Sequence, residues 1–274
     1  MFGSIPRIVK LALMAEPLVP RPAATVLTLR DGVEGYEILM LRRNIRSDFV
    51  GGAYVFPGGA VDAGDLGAAS FAFGLSDALA SRRLELEGGG LAYYVACLRE
   101  LFEEAGLLLA CDSSGGKVDP ETRARLGEQR RALNARETDF ASVLKVEELL
   151  LDLRGVEYLA HWITPVGPPR RYDTRFFVAL APSGQVAAHD AAETTAHRWL
   201  RPTDALNAHT RGEFEMILPT VRNLEAIADF GSAQEVLDYA RSLTSIACVE
   251  PRIIERDGAS VVLTPGDEGF ERGT

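Results

Sequence analysis

Two short runs, Ala23–Leu29 and Tyr36–Arg42, have the apolar, half-alternating character of strands. The Gly-containing stretch between them, Arg30-Asp-Gly-Val-Glu-Gly35, predicts a hairpin connection. A further apolar run, Tyr54-Val-Phe56, enters Pro57-Gly58-Gly59, a sharp turn whose backbone is free to approach a ligand. Leu98, Leu101, Phe102 and Ala105 fall at helical spacing and predict an apolar stripe against a core. Gly106 stands where a left-handed C-terminal residue is wanted. Upstream, Ser76–Leu86 predicts a helix, joined to this one through Gly88-Gly89-Gly90. Downstream, Leu107–Ala110 reads as a buried strand, and Pro120–Asn134 and Asp139–Leu151 read as helices, with Pro120 suited to a helix start. Strands return at Glu157–Pro165, Arg175–Leu180 and Ala196–Leu200. Residues 212–243 read as helical, with Phe214–Leu218 leading to Pro219 and then Thr220–Phe230 and Ala233–Leu243. Val249–Phe270 reads as a hairpin around Asp257-Gly258. This alternation of strands and helices predicts an α/β class, without internal repeat, low-complexity linker or charge block.

The charges on the central helix change the picture. Glu100, Glu103 and Glu104 sit at i, i+3 and i+4, so their carboxylates share one face. Three like charges together cost helix stability. A hard divalent cation gives them a purpose, since Mg²⁺ takes carboxylate and phosphate oxygens. The alternative is a solvated acidic face, the commoner fate of a charge run.

Composition narrows the classes. The chain of 274 residues is 47% hydrophobic and 25% charged, as in ordinary soluble globular proteins. Its formal charge of −10 argues against a nucleic-acid surface and implies that an anionic substrate needs bound metal or local arginines. Cys97, Cys111 and Cys248 are scattered and lack metal spacing, which predicts reduced thiols and a cytoplasmic setting. Cys97 is expected to pack rather than react. No segment reaches the length of a membrane span, and Glu16-Pro17 cuts short the apolar stretch after Lys10, so no secretory signal is expected. Residues 1–21 read as an extended arm suited to contact with a partner subunit. His161, His189, His197 and His209 show no metal spacing.

Gly59, Asp65 and Arg99-Glu-Leu-Phe-Glu-Glu-Ala-Gly-Leu107, preceded by Phe56-Pro-Gly-Gly59, resemble the Nudix box. The second half matches at every specified position. In the first half Asp65 stands where the family has glutamate, and residues 66–98 stand where the family has seven. A split box of this kind is similar to the branch that includes the peroxisomal coenzyme A diphosphatases. His161-Trp-Ile-Thr-Pro165 and Arg170-Arg-Tyr-Asp-Thr-Arg-Phe-Phe177 resemble phrases of the same branch.

The resemblance implies an α/β/α sandwich with a mixed sheet, a helical insertion within the box (66–90) and helical and hairpin additions at the C-terminus. It divides the chain into the arm (1–21), a Nudix domain (22–245) and a hairpin and tail packed on it (246–274). The implied activity is metal-dependent hydrolysis of a diphosphate linkage. Mg²⁺ or Mn²⁺ would be held by Glu100, Glu103 and Glu104 with a carbonyl of Gly58 or Gly59. Arg99 would orient a box carboxylate, foremost Asp65. Glu100 would complete the metal shell or act on the attacking water. Glu193 would supply a further metal-binding or catalytic carboxylate, with Asp190 its competitor. Arg42, Arg43 and Arg46 after the second strand are candidates for substrate phosphates or a nucleotide base, and Arg171 and Arg175 for substrate phosphates, against ordinary loop or ion-pair roles. Coenzyme A or acyl-coenzyme A is the favoured substrate. In the family's coenzyme A signature Gly52 fits, but Asp48 replaces the arginine, which keeps ADP-ribose and NADH open. A regulatory Nudix module without catalysis ranks lower, because the box carboxylates are all present. Small-molecule nucleotide diphosphates are the expected partners, with no nucleic acid and no membrane; a homodimer is compatible with the residues and not required by them.

Overall fold

The computed structural model describes residues 18–45, 51–190, 194–256 and 258–270. Arm residues 1–17, Arg46, Asp48, Glu193, the hairpin residue Asp257 and the tail from 271 lie outside the described residues.

The chain opens with β1 (Arg21–Gly32), β2 (Gly35–Arg43), β3 (Tyr54–Val55) and β4 (Gly58–Ala60). The insertion follows as α1 (Ala63–Ala68), a 3₁₀ turn, β5 (Ala72–Phe73) and α2 (Asp77–Arg83). The acidic motif closes α3 (Leu91–Ala105), which leads to β6 (Ala110–Cys111), α4 (Pro120–Asn134), α5 (Phe140–Val146) and β7 (Leu150–Asp152). Then come β8 (Val156–Ile163), β9 (Tyr172–Leu180), β10 (Thr194–Leu200), α6 (Pro202–Thr210), α7 (Leu218–Ile227) and α8 (Ala233–Ser242). The chain ends in β11 (Cys248–Val249), β12 (Arg252–Arg256) and β13 (Ala259–Leu263).

The main sheet is mixed, in the order β10-β2-β1-β9-β8-β11, with β3 on β2 and β4 on β1. β1 is its axis. One edge of β1 pairs antiparallel with β4 through Ala23–Thr25 and then with β2 through Leu29–Gly32. The other edge runs parallel to β9 along its whole length, from Arg21 against Tyr172 to Leu29 against Leu180. Because side chains alternate, β1 sends Ala24 and Val26 to one face and Leu27 and Leu29 to the other. The first face packs on Tyr94, Leu98, Leu101 and Phe102 of α3. The second packs on Ala205, Leu224, Ile227, Val236 and Leu237 of α6, α7 and α8. Two helical layers thus enclose the sheet, the expected α/β/α sandwich.

Several local elements differ from the sequence expectations. Gly58-Gly59 is not a turn but extended backbone, paired with Thr25 and Ala24. The predicted helix Asp139–Leu151 stops at Val146, and its apolar end becomes β7 in a small sheet with β5 and β6. An apolar run this short fits a strand as well as a helix, and pairing with the insertion decides it. The insertion is accordingly not wholly helical. The strand expected at Leu107–Ala110 is confined to Ala110–Cys111, and helix α6 appears where none was expected.

The insertion completes α3. Gly90 at its N-cap has no side chain to offer, so the first amides need acceptors from elsewhere. Asp77 of α2 accepts from the N–H of Gly89 at 3.1 Å and of Leu91 at 3.0 Å, and the Ser81 hydroxyl accepts from Gly90 N–H at 2.9 Å. These amide bonds, opposed by burial, hold the Asp77 carboxyl below its usual range, the Leu91 bond most strongly. At the other end Gly106 has φ 71°, the left-handed cap. Arg130 Nε and Asn134 Nδ2 donate to the exposed carbonyl of Glu103 at 3.0 and 3.2 Å.

Phe102, 1% exposed between the sheet and Phe140, is the test of this packing. Phe102→Ala should cost about 3–5 kcal/mol, read as a lower urea midpoint at unchanged slope; a loss below about 1 kcal/mol would show that α3 is held by its caps instead.

Candidate active site

Strand β4 and helix α3 lie side by side, and the ladder pattern dictates which backbone groups meet the helix. Val26 N–H donates to Pro57 C=O and Val61 N–H to Pro22 C=O, both at 2.9 Å. In an antiparallel ladder these alternate, so Gly59 faces β1 while the polar groups of Gly58 and Ala60 turn outward. Gly58 N–H donates to Glu104 Oε2 at 3.1 Å, and Ala60 C=O accepts from Arg99 Nη2 at 3.0 Å. Of the two expected carbonyl ligands, Gly58 C=O is therefore the one turned toward α3, and Gly59 C=O belongs to the ladder. The glycines themselves are required by contact. A Cβ on Gly59 would lie 2.3 Å from Glu100 Oε1, and one on Gly58 would lie 2.4 Å from Thr25 Oγ1 and 2.6 Å from Ala24 O.

The two box halves are joined by one buried ion pair. Asp65, in the first turn of α1, is 1% exposed and accepts from Arg99 Nε at 2.7 Å and Nη2 at 3.1 Å. Its Oδ2 also accepts from Asp62 N–H at 2.8 Å. Arg99 Nη1 donates to Glu100 Oε1 at 2.7 Å and lies 3.6 Å from Glu103 Oε1. Burial works against the guanidinium charge, but Asp65, Glu100 and Glu103 outweigh it and hold the Arg99 pKa above its ordinary value.

Glu100, Glu103 and Glu104 open onto a cavity of about 1180 Å³ that is also lined by Gly58, Gly59, Asp65 and Arg99. Glu104 is 6% exposed, whereas the Glu103 side chain is 28% exposed and faces the opening most freely. Asp190 lines the same cavity, and its carboxylate accepts from the N–H and hydroxyl of Thr194 at 2.9 and 2.8 Å. Among the described residues no three acidic, histidine or cysteine side chains converge as a ready-made cation cage. Glu104 instead meets Gly58 N–H, and Glu100 meets Arg99. The donor chemistry still fits a hard cation: among the described residues the lining offers carboxylate and carbonyl oxygens and neither thiol nor imidazole.

Of the arginines expected at substrate phosphates, Arg43 lines this cavity, whereas Arg42, Arg171 and Arg175 do not. Arg42 is exposed, with Nε on Gly52 C=O. Arg175 is 5% exposed, pairs with Asp173 and lies over the Tyr93 ring. Partial burial raises the Asp173 pKa, yet His161 and Arg175 together hold it below the usual range. Arg171, 7% exposed, donates to Thr164 C=O at 2.9 Å, Leu18 C=O at 2.7 Å and the Glu250 carboxylate. Among the described residues the cations that line the cavity are Arg43, Arg99, Arg136 and Arg170. Arg43 is one of the expected residues and Arg170 the immediate neighbour of another; Arg136 carried no sequence signal. Cys97 is fully buried and donates to Tyr94 C=O at 3.2 Å, and burial pushes its thiol up, so it packs.

A solved Nudix hydrolase from Alicyclobacillus acidocaldarius is 29% identical and superposes with a TM-score of 0.65, covering 82% of this chain and 97% of that one. Fold and box together are those of a Nudix pyrophosphohydrolase. The model of the NUDT19 Nudix domain matches residues 70–227, and the chain belongs to that family. It is 24% identical over 275 residues to the acyl-coenzyme A diphosphatase NUDT19 of Xenopus laevis, covering 87% of this chain and 72% of that protein. Over 271 residues it is 27% identical to the human protein of the same name, covering 86% and 72%. The family match begins after Asp65, so the junction of β4 and α1 with α3 rests on geometry.

Removing the Asp65 charge takes from Arg99 its two-pronged partner and leaves it Glu100, Glu103 and the Ala60 carbonyl. Asp65→Asn should therefore destabilise the fold by about 1–3 kcal/mol, measured by urea unfolding. Near-native stability would mean that Arg99 finds equal support from those remaining partners.

Proposed function

We propose that this chain hydrolyses the diphosphate linkage of acyl-coenzyme A or coenzyme A with the aid of Mg²⁺ or Mn²⁺. The observation that carries the reading is the Asp65–Arg99 clamp, which brings the β4 edge and three glutamates to the wall of one cavity. The names of the relatives supply the substrate class. Water adds across the P–O–P linkage, giving adenosine 3′,5′-bisphosphate and a phosphopantetheine that keeps any acyl group.

Glu100, Glu103, Glu104 and the Gly58 carbonyl are the groups that would hold the cation. When bound, it supplies charge neutralisation at the phosphoryl oxygens and Lewis-acid polarisation. Arg99 acts on the carboxylates rather than on substrate, restricting Glu100 through its Oε1. Arg43 and Arg170 offer positive charge from other parts of the cavity wall for the remaining phosphates. The proton of the attacking water passes to a carboxylate, either Glu100 or Glu193. Membrane insertion has no part in this reading, and among the described residues no helix is long and apolar enough to cross a membrane.

The test is a product screen with coenzyme A, acyl-coenzyme A, ADP-ribose and NADH, each with Mg²⁺ and then Mn²⁺. Glu103→Gln should lower kcat by roughly 10²–10³-fold while unfolding as the parent does, and chelation should abolish turnover; a near-normal rate would remove Glu103 from the ligand set. Of Glu100→Gln and Glu193→Gln, the variant that loses the base should lose the acidic limb of the kcat/KM pH profile and about 10²–10⁴-fold in rate. Two unchanged profiles would place the base elsewhere.

A further inference from the structure

The cavity extends well beyond the glutamates, and its far part has different chemistry. From Gly58 the sheet crosses Thr25 of β1 and Phe176 of β9, which are cross-strand neighbours. One step along, Ala23 neighbours Thr174, and Thr174 neighbours Trp162 of β8. Trp162 in turn pairs with Val249 of β11, from which the chain passes through Pro251 into the β12–β13 hairpin. Ala23, Thr25, Phe176, Thr174, Trp162, Pro251 and the hairpin's Val262 all line the cavity. At about 4.8 Å per strand, the four steps from β4 to β11 span about 19 Å. This floor carries no charge. Ile217, Leu218 and Pro219 at the start of α7 and Pro165 and Pro168 in the β8–β9 connection add further apolar wall.

The hairpin is placed as part of that wall. Ile253, Ile254, Val261 and Val262 are half-buried, yet they belong to neither core of the sandwich. The hairpin's entry is pinned by Arg171, whose three contacts join Glu250 to Thr164 and Leu18. Val262, excluded from both cores but turned into the cavity that Pro251 and Trp162 also line, fits a ligand of the same apolar character. A diphosphate at the glutamates leaves one long, largely neutral arm of acyl-coenzyme A to occupy such a track, and its acyl end is the part that needs an apolar seat.

We infer that the C-terminal hairpin forms the seat for the acyl chain, with Val262, Pro251 and Trp162 setting chain-length preference and Arg171 positioning the hairpin. This rests on the proposed acyl-coenzyme A hydrolysis and deepens it.

The experiment compares kcat/KM for palmitoyl-coenzyme A, acetyl-coenzyme A and coenzyme A between the parent protein and Val262→Trp. Filling the seat should lower the palmitoyl-to-coenzyme A ratio about tenfold, with the acetyl ratio moving far less. Val262→Ser guards against misfolding of the larger variant and should lower the same ratio about threefold, as a weakened apolar contact does. Arg171→Met should reproduce the selective loss, and Arg171→Lys should recover part of it; an equal fall on every substrate would make Arg171 merely structural. Ratios unchanged in both Val262 variants would overturn the inference while leaving the hydrolase reading intact. A parent protein active on ADP-ribose but on none of the three thioester and thiol substrates would overturn both.

Discussion

A buried carboxylate holding a largely buried guanidinium governs this molecule. Asp65 and Arg99 come from opposite sides of the insertion, and each would be costly to bury alone. Their two-pronged contact fixes the rotation of α3 relative to β4, because Arg99 also grips the Ala60 carbonyl. The remaining acidic groups follow from that rotation. Glu104 is carried to Gly58 N–H, Glu100 to the space above Gly59, and Glu103 to the opening. Aspartate in place of the family's glutamate is tolerated because a helix start, α1, delivers it to within reach of both guanidinium nitrogens.

The insertion belongs to the same mechanical unit. Asp65 stands immediately before it, and its helix α2 supplies the acceptors that Gly90 lacks. Part of it is thus built into the support of α3. Both ends of α3 are capped from outside: Asp77 and Ser81 satisfy the first amides, and Arg130 and Asn134 satisfy the Glu103 carbonyl. Three acidic residues near a helix C-terminus oppose the helix dipole, and donors placed on that carbonyl relieve part of the conflict.

What the sequence disclosed was local. The run from Arg99 to Leu107 states its own helix, apolar stripe, acidic face and glycine cap, since each depends on neighbours three or four residues away. The arginines were harder. Arg42 and Arg43 are adjacent on a strand and point to opposite faces, so only the register of the sheet tells which meets the cavity. Arg170 and Arg171 pose the same problem, and Arg171 is drawn away by Glu250, far along the chain. The β7 strand was hidden likewise, because its pairing partner Ala72–Phe73 lies in the insertion. The uncharged track from Thr25 to Val262 has no signature in one dimension; it exists only once five strands stand side by side.

The parallel pairing of β1 with β9 sets an order of events as well as a shape. Arg21 leaves the ribosome long before Tyr172, and the edge of β1 that β9 covers stays open until then. Contacts so distant in sequence are slow to close and leave strand edges exposed meanwhile. The charged helix between them is made early but acquires its floor late. Synthesis of this protein thus has a vulnerable interval, in which a half-built sheet with an apolar face must be kept from pairing with the wrong chain.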